Sequence, residues 1–388
     1  MRTGFRAVAA ALALVAAFAG GYALNPKLRP ETLYTAWAKY VRGQPSHKET
    51  LNDGVLEMVM ATDFARLIDV HSRADADRKR AAAAEFIFRG EPAGMNRRPD
   101  LVEHDQLFPP LFDLKLAGID ILTVRMPFGV ESRVFHLRAA NPRSCLMIYQ
   151  EGHRVSFLER TRFIKRMTSE GCDVLALALP LTGGINNRPT VDHPRFGRIL
   201  LNDPDDLQLL NSRSYSSLAY FITPLVAALN HALDERSYER IGATGFSGGG
   251  WAVQIFAALE PRVQVTYSVA GSSPTGVHAA KPEWGSPEQR AGLFYEIANY
   301  SELYVMAADR AGRRHVQFFN DTDPCCFAGR SWMAWNAPVG DRIRQLGGGF
   351  RIFSYQNSEH TLSKPVALTI VDDFLYGGRA IPEGVSAH

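Results

Sequence analysis

The residues best placed to do chemistry lie in the stretch Ile241-Gly-Ala-Thr-Gly-Phe-Ser-Gly-Gly-Gly-Trp251, which contains Gly245-x-Ser247-x-Gly249. A serine hydroxyl is a weak nucleophile until an adjacent base takes its proton. The motif lies between an apolar strand-like run and an apolar helical run, where a tight strand-to-helix turn would hold the hydroxyl exposed. Large side chains beside the serine would clash in such a turn, and Gly245, Gly248 and Gly249 relieve that crowding. Ser247 would also sit at a helix N-terminus, where developing negative charge is favoured. Two other readings fit the bare pattern: a Gly-rich turn with an incidental serine, and a phosphate-binding loop. The second lacks both G-x-x-x-x-G-K-[ST] and the G-x-G-x-x-G spacing.

The elements that must position this turn can be read from apolar patterning. Residues 119–124 and 133–137 read as two paired strands joined by a Pro/Gly turn. The short apolar runs 145–149, 174–179, 241–245, 263–269, 315–319 and 350–354 suit buried strands. Residues 157–167, 218–233, 251–259, 335–346 and 365–375 suit helices. Such alternation implies an α/β chain with a mostly parallel sheet and helices on both faces. No internal repeat is visible.

With strand, Gly-x-Ser-x-Gly turn and helix in that order, residues 118–378 resemble the alpha/beta-hydrolase family. The resemblance implies the chain order serine, acid, histidine, with the acid and the histidine each following a later strand. The strand 315–319 runs into Asn320-Asp321-Thr322-Asp323-Pro324, and the strand 350–354 into Tyr355-Gln356-Asn357-Ser358-Glu359-His360. Asp323, which directly precedes a proline, is the preferred acid, with Asp321 as its rival. On this reading His360 takes the Ser247 proton and Asp323 fixes the imidazole tautomer. The oxyanion needs two backbone N–H donors. The family pattern implies Gly248 for one and the loop Glu151-Gly152-His153 for the other, each worth about 3–4 kcal/mol in the transition state. The order Gly-His here reverses the common His-Gly form, so the donor within the loop stays open. His153 is either a substrate contact or a histidine bonded to its own loop. In the family's sheet order Cys145 and Cys172 begin neighbouring strands, which implies either a disulfide or two buried thiols. Adjacent Cys325 and Cys326 are poor partners for each other.

Composition bounds the alternatives. The 388 residues are 46% hydrophobic and 21% charged, which excludes a mainly disordered chain. Lys and Arg number 43 against 40 Asp and Glu, a net charge of +3 that argues against a dedicated nucleic-acid binder. Four cysteines exclude a disulfide scaffold. Arg2 and Arg6 precede an uncharged, Ala-rich run over residues 7–24 that ends near the small-x-small triplet Ala17-Phe18-Ala19. Residues 1–24 are therefore expected to be a signal peptide or a retained N-terminal membrane anchor. Either places the body in a periplasmic or extracellular setting that permits disulfides. Residues 25–117 read as a helical N-terminal extension, with helical character over 31–41 and 52–88 and an exposed, charged, Ala-rich helix at 73–84. Residues 118–388 are the hydrolase-like domain, with an insertion at 272–312 that is a lid or a surface excursion with its own small core. Residues 181–215 form a second long polar loop near the same rim.

The expectation is an exported serine hydrolase that cleaves a carboxylic ester through an acyl-enzyme, with a small-molecule or carbohydrate ester as substrate. No cofactor and no metal are expected, since no ligand spacing accompanies Cys325 and Cys326. The alternatives are a serine peptidase of the same fold, which the absence of a propeller-sized N-terminal domain disfavours, and a non-catalytic envelope binding protein.

Overall fold

The structure is a computed structural model that describes residues 53–377, apart from 115, 183, 280–285, 324, 326, 328 and 358, together with 385–387. All lie in the compact unit Leu51–His388. The signal or anchor segment and the helix expected over 31–41 fall outside the described residues. No described helix is long and apolar enough to cross a membrane.

The strands are β1 (Leu101–Glu103), β2 (Leu116–Met126), β3 (Val130–Ala139), β4 (Cys145–Gln150), β5 (Asp173–Leu177), β6 (Thr190–His193), β7 (Gly197–Leu200), β8 (Arg240–Phe246), β9 (Val265–Val269), β10 (Arg314–Asn320), β11 (Gly349–Tyr355) and β12 (Val385–Ala387). Ten of them form one sheet in the order β1-β2-β3-β5-β4-β8-β9-β10-β11-β12. From β5 to β11 neighbouring strands are parallel, while β1, β2, β3 and β12 are antiparallel. Every residue of β4, β5 and β9 is buried, as a parallel sheet covered on both faces requires. The chain runs outward in one direction from β4 to β5 and in the other from β8 to β9. This makes the β4–β8 boundary the switch point, where open α/β sheets hold their ligands.

The helices are α1 (Asp53–Met60), α2 (Arg73–Ile87), α3 (Thr161–Ser169), α4 (Ala219–Glu235), α5 (Gly248–Leu259), α6 (Thr275–Ala279), α7 (Gly292–Ile297), α8 (Tyr300–Met306), α9 (Met333–Gln345) and α10 (Lys364–Tyr376). The stretch 52–88 is not one helix. Asp63 caps a 3-10 turn at Phe64–Leu67, and Ser72 restarts the chain by accepting the Asp75 N–H at 3.1 Å. Nor is the charged helix simply exposed. Ala76, Arg80, Ala83 and Ile87 recur every three or four residues and form one buried face of α2. The helix expected from Phe157 opens as a 3-10 turn before α3. The polar loop 181–215 contains the β6–β7 hairpin and a 3-10 turn, Pro204–Leu210, started by a capping box between Asp203 and Asp206. The insertion has a genuine core, with Phe294, Tyr295, Tyr300 and Tyr304 all buried. Trp284 lies outside the described residues.

Cys145 and Cys172 form a disulfide with Cα atoms 4.8 Å apart, joining the starts of β4 and β5. It closes a loop across a sequence separation of 27 residues. Replacing both cysteines by serine is expected to lower the unfolding free energy by about 3 kcal/mol on the chain-entropy account, measured by urea unfolding of oxidised wild type against the double variant.

Candidate active site

The four loops that carry the candidate residues leave the same edge of the sheet, because β4, β8, β10 and β11 run parallel. The β4–β8 register pairs Gln150 with Gly245, so the loop Glu151-Gly152-His153 emerges beside Phe246-Ser247-Gly248. The approach is close enough to require glycine. A Cβ on Gly249 would stand 2.1 Å from the Gln150 carbonyl oxygen, and one on Gly248 would stand 2.4 Å from the His153 ring.

Ser247 has φ 54° and ψ −127°, a backbone conformation that costs a side-chain-bearing residue about 1–3 kcal/mol. It is the N-cap of α5, and its side chain is partly exposed and makes no capping bond. The hydroxyl is thus left available beside the free N–H groups of the first helical turn.

His360 and Asp323 meet. His360 Nδ1 lies 2.7 Å from Asp323 Oδ2, and the His360 ring packs on Phe246, the residue before Ser247, at a centroid distance of 4.5 Å. Asp323 is 1% exposed, and its other oxygen accepts the Cys325 N–H at 2.8 Å. Asp321, the rival acid, points elsewhere, with Oδ2 3.5 Å from Arg330 Nε. Sequence reading passed over Asn320, which links the acid and histidine loops. Fully buried at the end of β10, its amide donates to the carbonyls of Asn357 and Glu359 at 3.0 and 3.3 Å and accepts the Asn357 N–H at 2.9 Å.

The oxyanion loop is narrowed by its internal bonds. The Glu151 N–H donates to the Leu177 carbonyl at 3.1 Å, and the Gly152 N–H donates to Glu151 Oε1 at 3.1 Å. The His153 N–H has no partner among the described residues. Glu151 is fully buried and serves as the loop's anchor: the Tyr149 hydroxyl donates to its carboxylate, and Arg160 Nε lies 3.5 Å away. Arg160 also lies over the Phe246 ring, 5.8 Å from its centroid. His153 Nε2 meets Glu288 Oε1 of the insertion at 3.0 Å.

No family model matches the chain, and no curated protein sequence matches it. Solved structures do. Acetyl xylan esterase 1 from Thermoanaerobacterium sp. superposes with a TM-score of 0.55 at 13% identity, covering 80% of this chain and 95% of that one. An acetyl xylan esterase from Paenibacillus sp. R4 gives 0.50 at 14% identity over 79% of this chain and 96% of that one. The methylesterase BT1017 gives 0.50 at 12% identity over 83% of this chain and 67% of that one. With the strand order and the elbow geometry, these likenesses define the chain as an alpha/beta-hydrolase fold.

Burial alone would push the His360 pKa down, but the hydrogen bond and charge of Asp323 outweigh it and hold the imidazole above its ordinary value. A raised folded-state pKa contributes stability that is fully present below the unfolded pKa and is lost as pH rises through the folded pKa. An NMR titration of His360 is expected to show a pKa above that of a free histidine. In Asp323→Asn, where burial acts with less opposition, it is expected to fall. An unchanged midpoint would contradict the pairing.

Proposed function

We propose that the chain is a serine hydrolase that cleaves a carboxylic ester through an acyl-enzyme, with Ser247 as nucleophile, His360 as base and Asp323 as the orienting acid. The observation that carries this reading is the 2.7 Å Asp323–His360 pair whose ring packs on Phe246, the residue next to a strained, partly exposed Ser247 at the carboxyl edge of the sheet. Ser247 Oγ attacks the carbonyl carbon as its proton passes to His360 Nε2. The tetrahedral oxyanion is held by the N–H groups of Gly248 and His153, since those of Glu151 and Gly152 are engaged. Collapse breaks the ester C–O bond, and the departing alcohol takes the proton from His360. Water then repeats the sequence on the acyl-enzyme and frees the acid and Ser247.

The proposed substrate class is a short acyl ester on a carbohydrate. Two of the structural neighbours bear the name acetyl xylan esterase. An aromatic cluster at the β6–β7 hairpin is consistent with the same class: His193 stacks on Phe196 at 4.3 Å and lies 6.3 Å from the ring of Phe128, in the turn between β2 and β3. Phe128 and Phe196 are both exposed, so their faces form a platform for the C–H face of a sugar ring. The proposed setting is outside the cytoplasm, a reading that rests on Arg2, Arg6 and the apolar run behind them and agrees with the Cys145–Cys172 disulfide.

A fluorophosphonate probe should label Ser247, and Ser247→Ala should lose about 10⁴-fold or more in kcat against p-nitrophenyl acetate while keeping its far-UV spectrum. Turnover retained in that variant sinks the reading, and hydrolysis of peptide amides in preference to esters turns it toward a peptidase. Phe196→Ala should raise KM for an acetylated oligosaccharide several-fold and leave p-nitrophenyl acetate unaffected. Equal effects on both substrates would remove the platform from substrate binding.

A further inference from the structure

We propose that His153, Asp205 and Glu288 form a divalent-cation site, best matched to zinc, that ties together the three loops around the nucleophile. The residues come from the oxyanion loop, the 3-10 turn Pro204–Leu210 and the insertion, and one ligand atom from each lies within 4.8 Å of the others. Ligands about 2.0–2.1 Å from a common zinc ion stand roughly 3.0–3.4 Å apart. His153 Nε2 and Glu288 Oε1 are 3.0 Å apart, and Asp205 offers an atom within 4.8 Å of both.

The second observation is an unpaired buried carboxylate oxygen. Glu288 is 5% exposed, and its Oε2 is withdrawn from solvent with no hydrogen-bond partner among the described residues. Asp205 Oδ1 is in the same position. With Glu288 Oε1 bonded to His153, the oxygens Glu288 Oε2 and Asp205 Oδ1 are left as acceptors that a shared cation would satisfy. Arg154, which follows His153 in the chain, is bonded to Asp203 at 2.7 Å. One imidazole with two carboxylates is a donor set of the kind zinc accepts.

The ligands also stand on fixed supports. The Tyr295 hydroxyl accepts from Trp251 Nε1 of α5 at 2.8 Å and meets the Tyr300 hydroxyl at 2.8 Å, and Tyr300 donates to the Gln289 carbonyl at 2.8 Å. Glu288 is thereby fastened to the nucleophile helix through its neighbour. The ring that would hold the ion is the one that lies over Gly248, so the ion would fix the peptide that supplies the oxyanion donor.

The test uses the full untagged chain, stripped with EDTA, freed of chelator, equilibrated with zinc chloride and gel-filtered. The expected result is one zinc retained per chain and a rise in Tm of about 4 °C at zinc a hundredfold above Kd. Glu288→Gln and Asp205→Asn should each lower retention at least tenfold. No zinc retained by the wild type, or retention unchanged in the variants, overturns the proposal. Should a variant fail to fold, zinc-edge absorption on the wild type decides. One imidazole among oxygen ligands supports the site, whereas sulfur or several imidazoles around the ion overturns it. Fluorophosphonate labelling of Ser247 in the stripped protein keeps this outcome separate from that of the hydrolase reading.

Discussion

A helix buried along its whole length has no water at its ends, and α5 is such a helix: every residue from Gly248 to Leu259 is buried. Its terminal carbonyls must therefore find donors within the protein. Two guanidinium groups supply them. Arg80, from α2, donates Nε to the Ala258 carbonyl at 2.9 Å, and Arg313 donates Nη2 to the Ala257 carbonyl at 2.6 Å. Two buried cations need a counter-charge, and Asp309 meets Arg80 and Arg313 at 2.7 Å each. Burial alone would raise the Asp309 pKa, but Arg310, Arg313 and Arg80 hold it far below the usual carboxylate range. The positive charge at the carboxyl end of α5 also complements its dipole, while the opposite end faces Ser247. The segment that carries α2 thus takes part in fixing α5, the helix that Ser247 caps.

At that opposite end the controlling quantity is distance between backbones. The switch between β4 and β8 brings two loops so close that a Cβ on Gly249 would strike the Gln150 carbonyl, and the anchored Glu151 holds one of them in place. Its carboxylate gathers the Tyr149 hydroxyl, the Gly152 N–H and the nearby Arg160. The loop Glu151-Gly152-His153 is therefore held from within, the fixed geometry that the oxyanion role proposed for it requires.

The sheet, the elbow and the three candidate side chains were legible because each leaves a local mark: an apolar run, a glycine cluster at a strand end, a polar turn after a later strand. Asp323 is preferred over Asp321 on the proline that follows it, and the structure pairs Asp323 with the His360 ring while Asp321 lies toward Arg330. Asn320 was illegible, because an asparagine at a strand end has the same sequence appearance whether it caps a turn or joins two loops. Arg80 was read as exposed since α2 is charged, and its burial depends on Asp309, 229 residues further on. The same applies to Glu288 and Asp205: acids on separate polar loops carry no spacing signal, and only the fold sets them around His153.

Asn320 gives the acid and histidine loops a mechanical property. Its one amide bonds to the backbone of the segment leading to His360, while the Asp323 N–H is itself bonded to the Asn320 carbonyl at 3.3 Å. A displacement of either loop is transmitted to the other, so the His360 ring and the Asp323 carboxylate are coupled through Asn320 as well as through their own bond. The acid and the histidine thus share a support that neither of them provides, and the orientation of the imidazole is inherited from backbone held by an uncharged side chain.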